Sequence, residues 1–189
     1  MHADNWANKA KQEGYRTRAV YKLEEILQKT KSLKRSQNVL DLGSAPGGWA
    51  HYIKKKSPNS VVYAIDILDM EAVDGVYFFQ NSIEEIDNID SISSKMGSFG
   101  LVISDIAPNI TGINAIDTEN IYELNLLTLD TATKYLNKSH GSFIMKTFQN
   151  SMLKNLRKKM ELSFKIVQTF KPAASKKQSG EIFLYGAYK

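Results

Sequence analysis

The 189-residue chain contains no cysteine, which removes disulfides, thiolate metal sites and cysteine nucleophiles together. No apolar run approaches the roughly 20 residues that cross a bilayer, so the sequence does not read as a membrane protein. Its start, Met1-His2-Ala3-Asp4-Asn5, lacks the apolar stretch of a secretory signal. These absences fit an intracellular protein. No repeat, low-complexity tract or linker divides the sequence. Its length suits one domain over residues 1–189, with 1–30 as a leading helical segment of that same domain.

What is present is ordinary in amount but uneven in distribution. Hydrophobic residues make up 42%, enough for a packed core and too many for a disordered chain. A net charge of +5 is compatible with a polyanionic partner and equally with a basic enzyme of another kind. Basic residues crowd the start (Lys9, Lys11, Arg16, Arg18, Lys22), residues 154–159 and residues 171–177, while acidic ones concentrate over 66–90. Each basic cluster taken singly is explained by a solvated helix face or loop. They converge on one side only if the fold brings the chain ends together.

Short runs rich in β-branched residues alternate with helical patterns. The runs cover 38–42, 60–67, 76–80, 99–104, 141–148, 164–170 and 182–188, and their near-continuous hydrophobicity predicts strands covered on both faces. Residues 48–56, 82–93, 118–136 and 151–162 read as helices. Over 17–28, Ala19, Val20, Leu23, Ile26 and Leu27 fall on one helical face. This alternation implies a doubly wound α/β domain. Only a loop separates the last two strands, and a parallel pair needs a longer crossover. The last strand is therefore expected to be antiparallel, returning into the sheet like a hairpin.

The first strand runs into Gly43-Ser44-Ala45-Pro46-Gly47-Gly48-Trp49. In such folds ligands bind beyond the carboxyl ends of the strands, and glycines let the backbone approach them. The turn lacks the dinucleotide fingerprint and also the Gly-Lys-Ser/Thr ending of a phosphate-cradling loop. A ligand presenting amino-acid and ribose groups suits this turn and Asp41 better than a pyrophosphate does. Asp66 closes the second strand, where a carboxylate can accept both ribose hydroxyls of an adenosine. A tight packing turn and a helix cap are the plainer explanations of the loop and of Asp66.

Lys146 interrupts the apolar run Phe143-Ile144-Met145, where an unpaired ammonium is costly. Asp105, in the neighbouring strand region, is its natural partner. A purely structural ion pair would also satisfy this pattern.

The glycine loop, with Ser104-Asp105-Ile106-Ala107-Pro108-Asn109, resembles the FtsJ/RrmJ family of RNA ribose 2′-O-methyltransferases. The resemblance covers nearly the whole chain, from Gly14-Tyr15-Arg16-Thr17-Arg18-Ala19 through Lys146-Thr147-Phe148 to Ser179-Gly180-Glu181-Ile182. It implies an α/β, Rossmann-like fold of S-adenosylmethionine-dependent methyltransferases, with a seven-stranded, mostly parallel sheet and an antiparallel last strand. The family's Lys-Asp-Lys-Glu tetrad falls here on Lys22, Asp105, Lys146 and Glu181. On the resemblance, Lys146 is the general base, Asp105 and Lys22 position it and the hydroxyl, and Glu181 assists. Burial and Lys22 would lower the pKa of Lys146, whereas Asp105 and Glu181 would raise it, a balance that sequence leaves open.

The cofactor set given by loop and resemblance together is Asp41, Gly43, Ser44, Ala45, Pro46, Gly47, Gly48, Trp49, Asp66, Ile67, Ser82 and Asp105. S-adenosylmethionine is the implied donor, S-adenosylhomocysteine the product, and no metal is implied. Ser82 stands where the family usually has an Asp meeting adenine, so uncharged hydrogen bonds replace a carboxylate there. Arg16, Arg18, Lys171, Lys176 and Lys177 are the expected RNA contacts, because phosphates demand a basic surface. Ala107-Pro108-Asn109 favours the large-subunit ribosomal RNA uridine enzymes. Transfer RNA is the second substrate, and a non-catalytic cofactor-binding RNA chaperone the rival class. The resemblance also implies a monomer meeting its RNA within the large ribosomal subunit, in the cytoplasm or the mitochondrion.

Overall fold

The computed structural model describes residues 3–176 and 178–188. Its strands are β1 (Asn38–Leu42), β2 (Val61–Asp66), β3 (Val76–Gln80), β4 (Phe99–Ser104), β5 (Ser142–Phe148), β6 (Ile166–Phe170) and β7 (Glu181–Ala187). They form one sheet in the order β3-β2-β1-β4-β5-β7-β6. Pairing is parallel from β3 across to β5, and β7 runs antiparallel to both of its neighbours. The expected seven-stranded sheet with a reversed last strand is what forms. The strand order turns outward in both directions from β1 and β4, which leaves a crevice at their carboxyl ends.

Helices cover both faces. On one side lie α1 (Ala3–Gln12), α2 (Val20–Thr30) and α3 (Gly48–Lys56), whose Ala10, Leu23, Ile26 and Ile53 pack on Val39, Ile103, Ile144 and Phe183. On the other lie a 3-10 helix (Ile83–Asn88), α4 (Asp90–Ser93), α5 (Asn114–Tyr135) and α6 (Leu153–Ser163). Their Ile86, Leu129, Tyr135 and Met160 pack on Leu40, Val102, Phe143 and Leu184. Alternating strand residues thus feed two cores, which is why the strands read as nearly continuous apolar runs.

The departures from the sequence reading are local. The leading segment is two helices, with the chain turning between them at Gly14, φ +73°. Helix α1 is held by aromatic contact, its Trp6 ring lying 5.0 Å from that of Tyr21. The helix expected over 82–93 is a 3-10 turn and a four-residue helix, because Ile83 and Ile86 at a three-residue spacing supply its buried side. Helix α5 starts four residues earlier than 118, as Asp117 accepts hydrogen bonds from the amides of Thr111 (2.7 Å) and Gly112 (3.0 Å) and holds the incoming loop. Among the described residues, no helix is long and apolar enough to cross a membrane.

Strand β7 is central and tightly covered. A Cβ added at Gly186 would stand 2.5 Å from the ring of Phe164, which is itself buried against Phe143 and Tyr188. Gly186→Ala is therefore expected to destabilise the protein by about 1–3 kcal/mol through overpacking. The check is urea unfolding; a midpoint equal to that of the parent protein contradicts this packing.

Candidate active site

Successive strand residues face opposite ways, so residues two apart share a face. Val39, Ile103, Ile144 and Phe183 belong to the core under α2 and α3. Asp41, Asp105, Lys146 and Glu181 continue those rows to the same end of the sheet. Glu181 arrives there because β7 is reversed: it pairs with Phe148, and Phe183 pairs with Lys146. Lys146 and Glu181 are thus diagonal neighbours on one face, within reach of long side chains.

Two ion pairs close over this end. Lys146 Nζ lies 3.0 Å from Asp105 Oδ1 and also donates to the Asp105 carbonyl. Lys22, from α2, donates to Glu181 Oε2 at 2.8 Å. Ser175 donates to the other Glu181 oxygen at 2.7 Å, and the Ser179 hydroxyl accepts from the Glu181 amide at 3.1 Å. The four charged residues expected from sequence are therefore brought together from four elements. Burial pushes the Asp105 carboxyl above its usual range, although Lys146 and Lys22 pull the other way. Burial also acts to raise Glu181, but the Lys22 hydrogen bond and charge, helped by Ser175 and Lys146, hold it below the usual carboxylate range.

The glycine loop folds beside these pairs. The amides of Gly43 and Ser44 donate to the Ile65 carbonyl at 2.8 and 3.2 Å, tying the loop to β2. Gly43 has φ +74°, and a Cβ there would fall 2.1 Å from Ile106 Cγ1; Gly47 has φ +90° and caps α3. Both positions demand glycine on conformation as well as space. Asp66 accepts from the amide of Ala45 at 2.8 Å and from that of Leu68 at 2.9 Å. Beyond it, Ile67 and Leu68 are left exposed at the tip of β2. Asp41 is only 1% exposed, yet among the described residues neither of its carboxylate oxygens has a hydrogen-bond partner of normal geometry, and the buried Ser44 hydroxyl lacks one too.

Several expected contacts have other tasks. The Trp49 indole is buried, donates to the Ala19 carbonyl at 3.0 Å and packs near Phe183, so it joins α3 to α2. The Ser82 hydroxyl accepts from the Glu84 amide at 3.2 Å and caps the 3-10 helix. Gly48 is overlain by Thr17, whose hydroxyl a Cβ would meet at 2.6 Å. Arg16 donates to the carbonyls of Pro46 (2.9 Å), Glu71 (2.7 Å) and Ala72 (2.7 Å), clamping the loop from outside. Lys171 donates to the carbonyls of Ser179 and Glu181, which fixes the approach to β7. Both cations, expected on RNA, donate to backbone oxygens in this structure. Lys176 is exposed, Arg18 is half-buried, and Lys177 lies outside the described residues.

Sequence reasoning missed Ser175, Ile106 and the clamp made by Arg16. The acceptors of Arg16 are backbone carbonyls, which leave no mark on residue type. Ser175 sits six residues before Glu181 in a loop without periodicity.

A family model described as FtsJ-like methyltransferase matches residues 15–189. The chain is 37% identical over 186 residues to ribosomal RNA large subunit methyltransferase E of Dechloromonas aromatica (strain RCB), covering 97% of this chain and 90% of that protein. It is 40% identical over 185 residues to the protein so described from Borrelia garinii subsp. bavariensis, covering 97% and 95%. Among solved structures, one described as a ribosomal RNA methyltransferase from Plasmodium falciparum superposes with a TM-score of 0.78 at 29% identity, covering 92% and 97%. Human methyltransferase-like protein 13, in complex with S-adenosylhomocysteine, superposes at 0.63 over 88% of this chain and 81% of its own; at 12% identity it shows the fold alone.

Asp41 yields a prediction whose sign follows from its surroundings. Burial, then the charges of Asp105 and Asp66, raise its carboxyl well above the usual range, against a smaller pull from the Ala50 amide. Over the interval between its unfolded and folded pKa values the folded state binds the extra proton, so stability falls as pH rises through that interval. In ligand-free protein, the contribution of Asp41 to Tm is expected to decline from about pH 4 upward, so Asp41→Asn is expected to gain Tm relative to the parent as pH rises. Thermal melts across pH 4–8 check it; parallel curves for the two proteins would contradict it.

Proposed function

Because the chain belongs to the FtsJ-like methyltransferase family, we propose that it methylates a ribose 2′-hydroxyl of large-subunit ribosomal RNA, with S-adenosylmethionine as donor. The target nucleotide in this reading is a uridine, following the resemblance of the sequence. The observation that carries the reading is the meeting of Lys22–Glu181 and Lys146–Asp105 beside the glycine loop, at the crevice of the sheet. A structural ion pair would need only one such couple, and a non-catalytic binding protein none.

The residues present suit the donor. The two Asp41 oxygens and the Ser44 hydroxyl, unpartnered among the described residues, offer buried acceptors beside the glycine loop. These groups would hold the amino-acid end. Asp66 keeps lone pairs beyond the two it gives to amides and would accept ribose hydroxyls. Ile67 and Leu68 would flank the base. When bound, S-adenosylmethionine supplies an already activated methyl group.

The protein's own task is then alignment and proton removal. In this reading the Lys146 amine takes the proton of the 2′-hydroxyl, while its ion pair with the Asp105 carboxylate and its hydrogen bond to the Asp105 carbonyl hold it in place. Asp105 thereby fixes where the amine points. Lys22, held by Glu181 and indirectly by Ser175, places a cation beside the oxygen that gains negative charge as the proton leaves.

Transfer of tritiated methyl groups to large-subunit ribosomal RNA tests this directly. Lys146→Ala is expected to slow single-turnover transfer by about 100-fold or more, and Ser175→Ala by less than about tenfold because it acts through Glu181. Methylation of transfer RNA in place of ribosomal RNA, or a Lys146→Ala rate near that of the parent, would sink the assignment.

A further inference from the structure

Helix α6 carries the third basic cluster of the sequence, and the site described above does not use it. Leu156 and Met160 are buried against the sheet, which turns Lys154 and Lys158 to the outer face of the helix, one turn apart. Lys154, Lys158 and Lys159 are exposed and make no hydrogen bond or ion pair among the described residues. Only Arg157 is committed, to the Thr169 hydroxyl and, at 3.6 Å, to Glu161. Arg16 and Lys171, by contrast, are spent on carbonyls, and Lys22 and Lys146 on carboxylates.

The shape around these lysines is concave. A groove of about 590 Å³ runs between α5 and α6, bordered by Lys158, Lys159, Tyr122, Leu162, the last 83% exposed, and Glu161, whose charge is met at 3.6 Å by Arg157. A second hollow, of about 490 Å³, continues from Lys158 past Lys154 to Ser151 and Asn150. That end joins the strand that carries Lys146. Gln149 donates to the Gly180 carbonyl at 2.7 Å, directly beside Glu181, and β5 with its Lys146 leads straight into the chain entering α6. Cations unpaired among the described residues, along a groove whose near end follows directly on the strand that carries Lys146, match a polyanion reaching the site from that side. An aromatic and an exposed aliphatic side chain within the groove suit sugar and base edges.

We propose that this outer face of α6 holds the phosphate backbone of the substrate RNA outside the nucleotide being methylated. The proposal rests on the RNA reading of the active site, but its test is separable. The triple variant Lys154→Gln/Lys158→Gln/Lys159→Gln is compared with the parent and with the triple Arg variant. Binding to a large-subunit ribosomal RNA transcript is read by fluorescence anisotropy from 50 to 200 mM KCl. Each lost phosphate contact lowers the slope of log K against log salt by about 0.7–0.9. The Gln variant is expected to lose roughly two to three units of slope and at least about tenfold in affinity at 50 mM. Its KM for RNA should rise in step with the affinity loss while kcat stays within about twofold of the parent, and the Arg variant should behave like the parent.

Unchanged affinity and salt slope in the Gln variant would overturn the proposal, as for a face that meets an acidic protein. Loss of binding in the Arg variant as well would also overturn it, since charge would then not be the cause. A parent protein that binds the transcript with the expected slope difference yet transfers no methyl group would refute the catalytic reading and leave this surface standing.

Discussion

Strand β7 runs against the other six, so its first residue lies where their last residues do. That reversal places Glu181 in reach of Lys22 and diagonal to Lys146, and without it a tetrad drawn from four elements would have no meeting point. The reversed strand is accommodated at Gly186, whose missing side chain makes room for Phe164, and its incoming loop is tied by Lys171. Packing on one face of the sheet thus determines electrostatics at its end.

The charges there are few and closely balanced. Two lysines face two carboxylates in a partly desolvated cluster, and an unpaired member would be costly. Asp41 is the exception, a buried carboxylate without a donor beside the glycine loop. A group of this kind weakens the free protein, which is the usual relation between a binding site and stability. It makes sense where a ligand brings the missing donors.

Much of this was legible in the residues. The strands could be placed because both their faces are buried, and the reversed strand followed from a connection too short for a crossover. Lys146 announced its partner, since a lysine inside an apolar run needs a carboxylate close by. The Lys22–Glu181 pair was not readable in that way: neither helix α2 nor the start of β7 signals its partner, and the family resemblance alone joined them. Trp49 was read as part of the cofactor loop and Arg16 as an RNA contact, and neither reading foresaw that these side chains also lock α3 and the glycine loop. Interactions with backbone carbonyls are invisible to residue patterns, and that accounts for most of what the sequence hid.

The central claim is that Lys146 and Asp105 act as one unit, the carboxylate aiming the amine. A double-mutant cycle on single-turnover methyl transfer measures this most directly. With Lys146→Ala, Asp105→Asn and the double variant, the account predicts strong non-additivity, the double variant being about as slow as the slower single one. Rate losses that multiply, each substitution acting as though the other residue were intact, would contradict it.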